Sequence, residues 1–238
     1  MNKEIENIIK QCSVCNNFRN SNRKEPLVPH EIPSRLWAKV AADMFQFKGS
    51  KYLLCVDFYS KYPEIVRMPS TTSLQTITAF KSVFARHGIP NELFTDNGPQ
   101  FSSYVFKKFA ADWDLIHSTS SPKYPQSNGQ AERYVQTVKN LLRKADESGG
   151  DIYTSLMNYP ASPIDGVCMS PAQLLMNRQL RTKLPITSDL LNPKGVESRL
   201  PDLVARQKKQ KLYYDRQSAT LPSVKRGDII LVQKDTKQ

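Results

Sequence analysis

The chain has 238 residues, enough for one or two domains with a sizeable buried core, and it carries a formal net charge of +12. This basic excess predicts a polyanionic partner. No stretch approaches the ~20 consecutive apolar residues of a membrane span, and the start lacks the apolar core of a signal peptide. We therefore expect an intracellular protein without membrane contact.

The first 35 residues predict a short helix over 4–19 and a polar, proline-containing linker over 20–35. The helix runs into Cys12 and Cys15, a Cys-x-x-Cys pair of the kind that forms half of a tetrahedral zinc site. A redox pair is the alternative, but no thioredoxin-like pattern surrounds it. In an intracellular chain, the four cysteines indicate reduced thiols or metal ligands and not disulfides.

Three β-rich segments follow, at residues 39–47, 52–59 and 62–68, separated by short turn sequences. They predict an antiparallel meander. Asp43 lies in the first of these segments. Asp57 lies between the second strand and its turn, where an aspartate usually bonds the local backbone, so it is predicted to be structural.

Helices and short strands then alternate from residue 73 to residue 118. Residues 73–87 predict a helix, and its inner face comprises Leu74, Ile77, Phe80 and Phe84. Residues 92–95 predict a buried strand that ends at Asp96, and 115–118 predict another. Between them, Ser102 or Ser103 is expected to cap a helix with inner residues Phe106, Phe109 and Trp113. Strands alternating with helices after a meander predict an α/β fold, a mixed sheet flanked by helices.

The helix that contains Glu132 has two distinct faces. Its core face is predicted to comprise Ala131, Val135, Val138, Leu142 and Ala145. The neighbouring face comprises Glu132, Gln136, Lys139 and Arg143, an acidic residue followed by an amide and two cations. This face suits a phosphate backbone beside metal ions. An ordinary amphipathic helix with a solvated face is the alternative.

The C-terminal part predicts helices over 152–161 and 170–177, a linker over 181–195 and a basic helix over 200–217. A strand is expected to begin at Gly227. From residue 181 onward the chain has 13 Lys or Arg against 6 Asp or Glu. This imbalance suggests a DNA-binding appendage, with a solubilising surface as the alternative.

Asp43, Asp96 and Glu132 are the strongest candidates for chemistry. Carboxylates that are brought together repel one another, and hard divalent cations such as Mg²⁺ or Mn²⁺ relieve the repulsion. Two such ions can clamp the attacking and leaving oxygens of a phosphoryl transfer. The local sequences Thr-Asp-Asn-Gly around Asp96 and Ser-Asn-Gly-Gln-Ala-Glu before Glu132 make the set specific, with 35 residues between the two acids. A lone His117 after a strand is more often structural.

On these motifs the chain resembles the integrases of gypsy-type long-terminal-repeat retrotransposons, relatives of retroviral integrases, over about residues 10–180. The resemblance implies a ribonuclease-H-like fold and a nuclear enzyme that processes and joins DNA ends as a homo-oligomer. It implies that Asp43 and Asp96 hold one ion and that Asp43 and Glu132 hold the second. It also implies a DNA-contacting loop and helix, with Tyr124, Asn128, Gln130, Gln136, Lys139 and Arg143 as the contact residues.

The same resemblance predicts three regions: a remnant of a zinc-binding domain with its linker (1–35), the catalytic core (36–180), and a basic segment that opens an incomplete β-barrel (181–238). The histidines that complete the family's zinc site are expected upstream of Cys12, so zinc binding by Cys12 and Cys15 is not expected in this chain. Pro160 stands where relatives commonly have arginine. A catalytically silent or host-adopted DNA-binding module is therefore the alternative function, and a plain ribonuclease H is a third.

Overall fold

The computed structural model describes residue 12, residues 31–119, 129–193 and 200–216, and residue 218. The chain divides into two units, one formed by residues 28–209 and the other by residues 1–27 with 210–238. The predicted N-terminal helix, Cys15, the loop with Tyr124 and Asn128, and the strand at Gly227 lie outside the described residues. So do the side chains of residues 129–131, including Gln130.

A five-stranded mixed sheet forms the centre of the 28–209 unit. The strands are β1 (Lys39–Phe47), β2 (Ser50–Asp57), β3 (Pro63–Met68), β4 (Glu92–Thr95) and β5 (Ile116–Thr119). Their order is β3-β2-β1-β4-β5. β1, β2 and β3 pair antiparallel, whereas β4 runs parallel to both β1 and β5. The predicted meander and the α/β mixed sheet are thus confirmed.

The first hairpin follows from local turn chemistry. Lys48 and Gly49 form the two-residue connection between β1 and β2, and both have positive φ, 46° and 73°. A two-residue hairpin with both central residues in this region matches the right-handed twist of its strands. The turn therefore sets the register that pairs Asp43 with Leu54.

The helices lie between and after the strands. They are α1 (Ser73–His87), α2 (Pro99–Ser102), α3 (Tyr104–Asp112), α4 (Gly129–Glu147), α5 (Ile152–Ala161), α6 (Pro171–Met176), α7 (Ser188–Leu191) and α8 (Leu200–Asp215). Side-chain caps explain several starts. Ser103 accepts the Phe106 amide at α3, Asp151 accepts two amides at α5, and Ser170 forms a capping box with Gln173 at α6.

Strand alternation sorts the core into layers on the two faces of the sheet. On one face, Val40, Leu53 and Cys55 pack with the aromatic cluster of α1 and α3. On the other, Phe45, Leu54 and Val56 pack against α4, which contributes Val135, Val138 and Leu142. Because successive side chains of a strand point to opposite faces, Asp43 lies on the α4 side, like Phe45.

Some local predictions were wrong. Leu74 is 67% exposed, because burial on α1 begins only at Thr76, where the helix reaches the sheet. The predicted 181–195 linker contains the short helix α7, α8 ends at Asp215, and β5 lies one residue later than expected. Pro160 is buried one residue before the end of α5. Proline lacks the N–H of a helix bond, but only one helical residue follows it, so little of the helix is disturbed.

Within the described residues no helix is long and apolar enough to cross a membrane.

Candidate active site

Asp43 sits within β1 and is mostly buried. Its Oδ1 accepts the backbone N–H of Met44 at 2.7 Å. Burial raises the pKa of Asp43 from 3.8 to about 6, the Met44 hydrogen bond opposes this, and the negative charges of Asp96 and Glu132 raise it further. Asp96 and Glu132, from two distant segments, therefore lie within electrostatic range of Asp43.

Asp96 reaches this region through the parallel pairing of β1 and β4. Ala41 is paired with Phe94, so Asp43 and Asp96, each two residues further on, lie at the same level of neighbouring strands. Adjacent strands are about 4.8 Å apart. The turn after β4 holds the side chain, because the Gly98 N–H donates to Asp96 Oδ1 at 3.1 Å.

Glu132 is exposed in the first turn of α4. An acidic side chain at that position interacts favourably with the helix dipole. Val135, one turn later, is buried with Val138 and Leu142, and the three pack on β1 and β2. This packing fixes the position of Glu132 relative to the sheet, so α4 brings it to the side of the sheet that carries Asp43.

Lys139 is a predicted DNA contact whose charge acts on Asp43. It is half-buried, and its Nζ lies 6.0 Å from the centre of the Phe45 ring. Its charge lowers the pKa of Asp43, which places it within range of the carboxylate. Gln136 and Arg143 are exposed on α4, as predicted, and Arg143 donates to Asn140 at 3.4 Å.

The donor set fits a hard divalent cation. All three candidate ligands are carboxylates, and the charges of Asp96 and Glu132 add to the effect of burial in raising the pKa of Asp43. Oxygen donors of this kind suit Mg²⁺ or Mn²⁺. In the described ranges, no group of three or more His, Cys, Asp or Glu side chains is close enough together to hold a metal ion. The assignment of Asp43, Asp96 and Glu132 as ligands stays a prediction.

Asp57 has the structural role predicted for it. It is fully buried, and its Oδ1 accepts the Trp37 N–H at 3.1 Å. Its Oδ2 accepts both the N–H and the hydroxyl of Ser60, at 2.8 and 2.6 Å. Asp57 thereby closes the turn between β2 and β3 and is not directed toward Asp43.

Thr95 is a residue near the site that the sequence analysis missed. It is fully buried directly before Asp96 and bonds both the Asp96 carbonyl and His117. Its position one residue before a candidate ligand could have indicated a role at the site, but its partner on β5 could not be predicted from the sequence.

Cys12 lies in irregular chain, and its partner in the predicted half zinc site, Cys15, falls outside the described residues.

The architecture defines the class of protein. A mixed five-stranded sheet is flanked by helices, and acidic residues lie on a central strand, at the end of the parallel strand beside it and on the helix that covers the sheet. This is the ribonuclease-H-like fold of integrase catalytic cores. Residues 34–125 match the integrase core domain family. Residues 34–125 therefore form an integrase core domain of the retroviral integrase superfamily.

Individual relatives agree with this placement. The chain is 30% identical over 223 residues to the uncharacterized protein K02A2.6 of Caenorhabditis elegans, covering 90% of this chain and 17% of that protein. It is 26% identical over 255 residues to the transposon Tf2-3 polyprotein of Schizosaccharomyces pombe, covering 98% of this chain and 19% of the polyprotein. The chain thus spans under a fifth of the length of either relative.

A solved structure supports the fold. The intasome of simian T-cell lymphotropic virus, in complex with the PP2A regulatory subunit B56 gamma, contains a chain that matches with a TM-score of 0.59 at 20% identity. The match covers 78% of this chain and 70% of that one. At this identity the likeness shows the fold alone.

Proposed function

We propose that the chain is a metal-dependent DNA integrase that trims the 3′ ends of retroelement DNA and joins them to target DNA. The observation that carries this proposal is geometric: Ala41 pairs with Phe94, which brings Asp96 level with Asp43, and α4 packs on the same face of the sheet with Glu132 in its first turn. The pKa of Asp43, raised first by burial and then by the charges of Asp96 and Glu132, agrees with this arrangement, since perturbed carboxylates are common at functional sites. Membership of the integrase superfamily narrows the chemistry to polynucleotidyl transfer.

Asp43 and Asp96 would hold one ion, and Asp43 and Glu132 the second. When bound, a pair of Mg²⁺ or Mn²⁺ ions supplies positive charge that activates a water or a 3′-hydroxyl and stabilises the leaving oxygen of a phosphodiester. The Met44 and Gly98 amides keep the first two carboxylates in place, at 2.7 and 3.1 Å.

The exposed face of α4 would guide the DNA. Gln136 and Arg143 are exposed along the helix from Glu132, and Lys139 lies half-buried between them. Cations at this spacing suit a phosphate backbone that runs past the carboxylates. Tyr124, Asn128 and Gln130 would add contacts from the preceding loop and the first turn of α4.

The assembly and location of the enzyme are also part of the proposal. The matching viral fold comes from an intasome, and joining two DNA ends at once calls for more than one catalytic chain, so we propose a homo-oligomer that acts on DNA in the nucleus. The alignment with the Tf2-3 polyprotein covers 98% of the chain. It supports an origin in a transposon polyprotein. We propose that the element is of the gypsy type and that residues 1–35 and 181–238 are the regions that flank the integrase core.

The decisive experiment is disintegration of a branched DNA substrate in Mg²⁺ or Mn²⁺, which demands least of the flanking regions. Glu132→Gln should abolish activity without unfolding the protein, because glutamine keeps the size and helix propensity but lacks the charge that the ion needs. Glu147→Gln is the matched control, since Glu147 is exposed at the other end of the same helix. It should retain activity.

Two results would contradict the proposal. If the wild-type chain folds and binds DNA but shows no metal-dependent activity, it is a silent DNA-binding module. If Glu132→Gln is as active as the wild type, the three-carboxylate mechanism is wrong for this protein.

A further inference from the structure

Thr95 connects two strands beneath the candidate site. It is fully buried at the end of β4, and its Oγ1 lies 2.9 Å from His117 Nε2 on β5 and 2.7 Å from the backbone oxygen of Asp96. His117 pairs in register with Leu93, two residues before Thr95, so the two side chains project from the same face of adjacent strands. The His117 ring packs on Phe106 of α3 in a T-shaped arrangement, with ring centres 4.9 Å apart.

The number of hydrogens that each group can donate determines the direction of these two bonds. A threonine hydroxyl has one hydrogen and two acceptor sites. The Asp96 carbonyl can only accept, so the Thr95 hydrogen points to it. His117 Nε2 must then carry a hydrogen and donate to Thr95 Oγ1. The result is a chain that runs from the His117 ring through Thr95 to the Asp96 peptide, in which each bond polarises the next.

Asp96 is therefore held on both sides. Its backbone oxygen accepts from Thr95, and its Oδ1 accepts from the Gly98 N–H. Within the described part of the chain, Oδ2 has no hydrogen-bond partner. The hydrogen bonds around Asp96 thus leave one carboxylate oxygen available for a ligand.

We propose that Thr95 and His117 are positioning residues that orient the Asp96 carboxylate for a divalent cation. This inference rests on the proposed function, in which Asp96 is a ligand. Partners that hold a ligating carboxylate typically change metal affinity by 10- to 100-fold when they are removed. Burial of Thr95 and packing of His117 on Phe106 keep both groups in one conformation, as a positioning role requires.

The test is Mn²⁺ binding by the full chain, measured by isothermal titration calorimetry, with DNA strand transfer as a second readout. Thr95→Val keeps the shape but removes both hydrogen bonds, and it should weaken Mn²⁺ binding by about 10- to 100-fold. Thr95→Ser restores the hydroxyl and should bind within about threefold of the wild type. Thr119→Val is the matched control, because Thr119 pairs with Thr95 across the strands but is exposed. It should bind as the wild type does.

His117→Phe provides an independent variant that keeps an aromatic ring against Phe106 and lacks the N–H donor. It should weaken Mn²⁺ binding by at least about threefold with little change in melting temperature. If Thr95→Val fails to fold, this variant decides the question alone.

The inference is overturned if the valine and phenylalanine variants bind Mn²⁺ as tightly as the wild type, or if Thr119→Val loses affinity equally. Asp96→Asn separates this failure from that of the proposed function. If Asp96→Asn abolishes binding and the Thr95 and His117 variants do not, only the positioning role fails. If Asp96→Asn also binds normally, the carboxylate site itself is wrong.

Discussion

Replacing Asp43 with asparagine should stabilise the metal-free protein while it destroys metal binding. In the folded chain the carboxylate is largely buried and lies within electrostatic range of Asp96 and Glu132. Burial first, and these two charges after it, raise its pKa to about 6. Asparagine keeps an oxygen that can accept the Met44 N–H, and it removes the charge. The substitution therefore removes a repulsion and loses little hydrogen bonding.

The size of the effect follows from the two pKa values. The gap between 3.8 in the unfolded chain and about 6 in the folded chain corresponds to about 3 kcal/mol, at roughly 1.4 kcal/mol per pKa unit. Partial exposure of Asp43 reduces this to about 1–2 kcal/mol. Because the folded pKa is the higher one, the wild type loses this stability as pH rises through 6 and regains it as pH falls toward 3.8.

The assay is urea unfolding of both proteins in EDTA between pH 4 and pH 8. Asp43→Asn should unfold at higher urea at pH 8, and the difference should close toward pH 4. The slope of unfolding free energy against urea should be the same for both proteins, because the surface exposed on unfolding does not change.

Asp57→Asn is the matched control with the opposite sign. Both oxygens of Asp57 accept hydrogen bonds, from the Trp37 N–H and from the N–H and hydroxyl of Ser60. Asparagine offers one oxygen, so this variant should lose about 1–3 kcal/mol of stability. If Asp43→Asn is destabilised like Asp57→Asn, or if its advantage does not depend on pH, the three carboxylates do not interact as argued.

Two further predictions concern charge. Lys61 is 7% exposed, and its pKa is lowered to about 8, first by burial and then by the charge of Arg206. Because the folded pKa is the lower one, the unfolding free energy should rise by up to about 3 kcal/mol as pH increases from 8 toward 10.5. Lys61→Met should flatten this rise in urea titrations. DNA binding, measured by fluorescence anisotropy, should weaken steeply between about 50 and 200 mM salt. Lys139→Gln and Arg143→Gln should each reduce the slope of log affinity against log salt concentration by about 0.9. An affinity that does not depend on salt would refute the role of the α4 cations.

The local elements were largely predictable from the sequence. The bounds of β1, α1, β4 and α5 agree with the predicted ranges. These segments depend on local signals: alternation of side chains in strands, apolar spacing in helices, and capping groups such as Asp151 at α5. The inner face of α4 follows the same rule, with Val135, Val138 and Leu142 buried as expected.

The candidate ligands were identified from short motifs, because the residues around each acid are distinctive. Their relative placement was a different matter. The predicted meander and alternation implied a mixed sheet, but they did not specify which strand lies beside β1. The loop with Tyr124 and Asn128 lies outside the described residues, so its predicted DNA contacts stay predictions.

What the sequence by itself determined is therefore most of the elements of the sheet and its helices, and the choice of the three acids as candidate ligands. The tertiary structure decided that β4 pairs parallel to β1, which puts Asp96 level with Asp43, and that β5 brings His117 to Thr95. It also decided that Leu74 faces solvent. The physical reason is that turns, caps and periodicity act over a few neighbouring residues, whereas strand order and cross-strand contacts depend on pairing and burial between segments far apart in the chain.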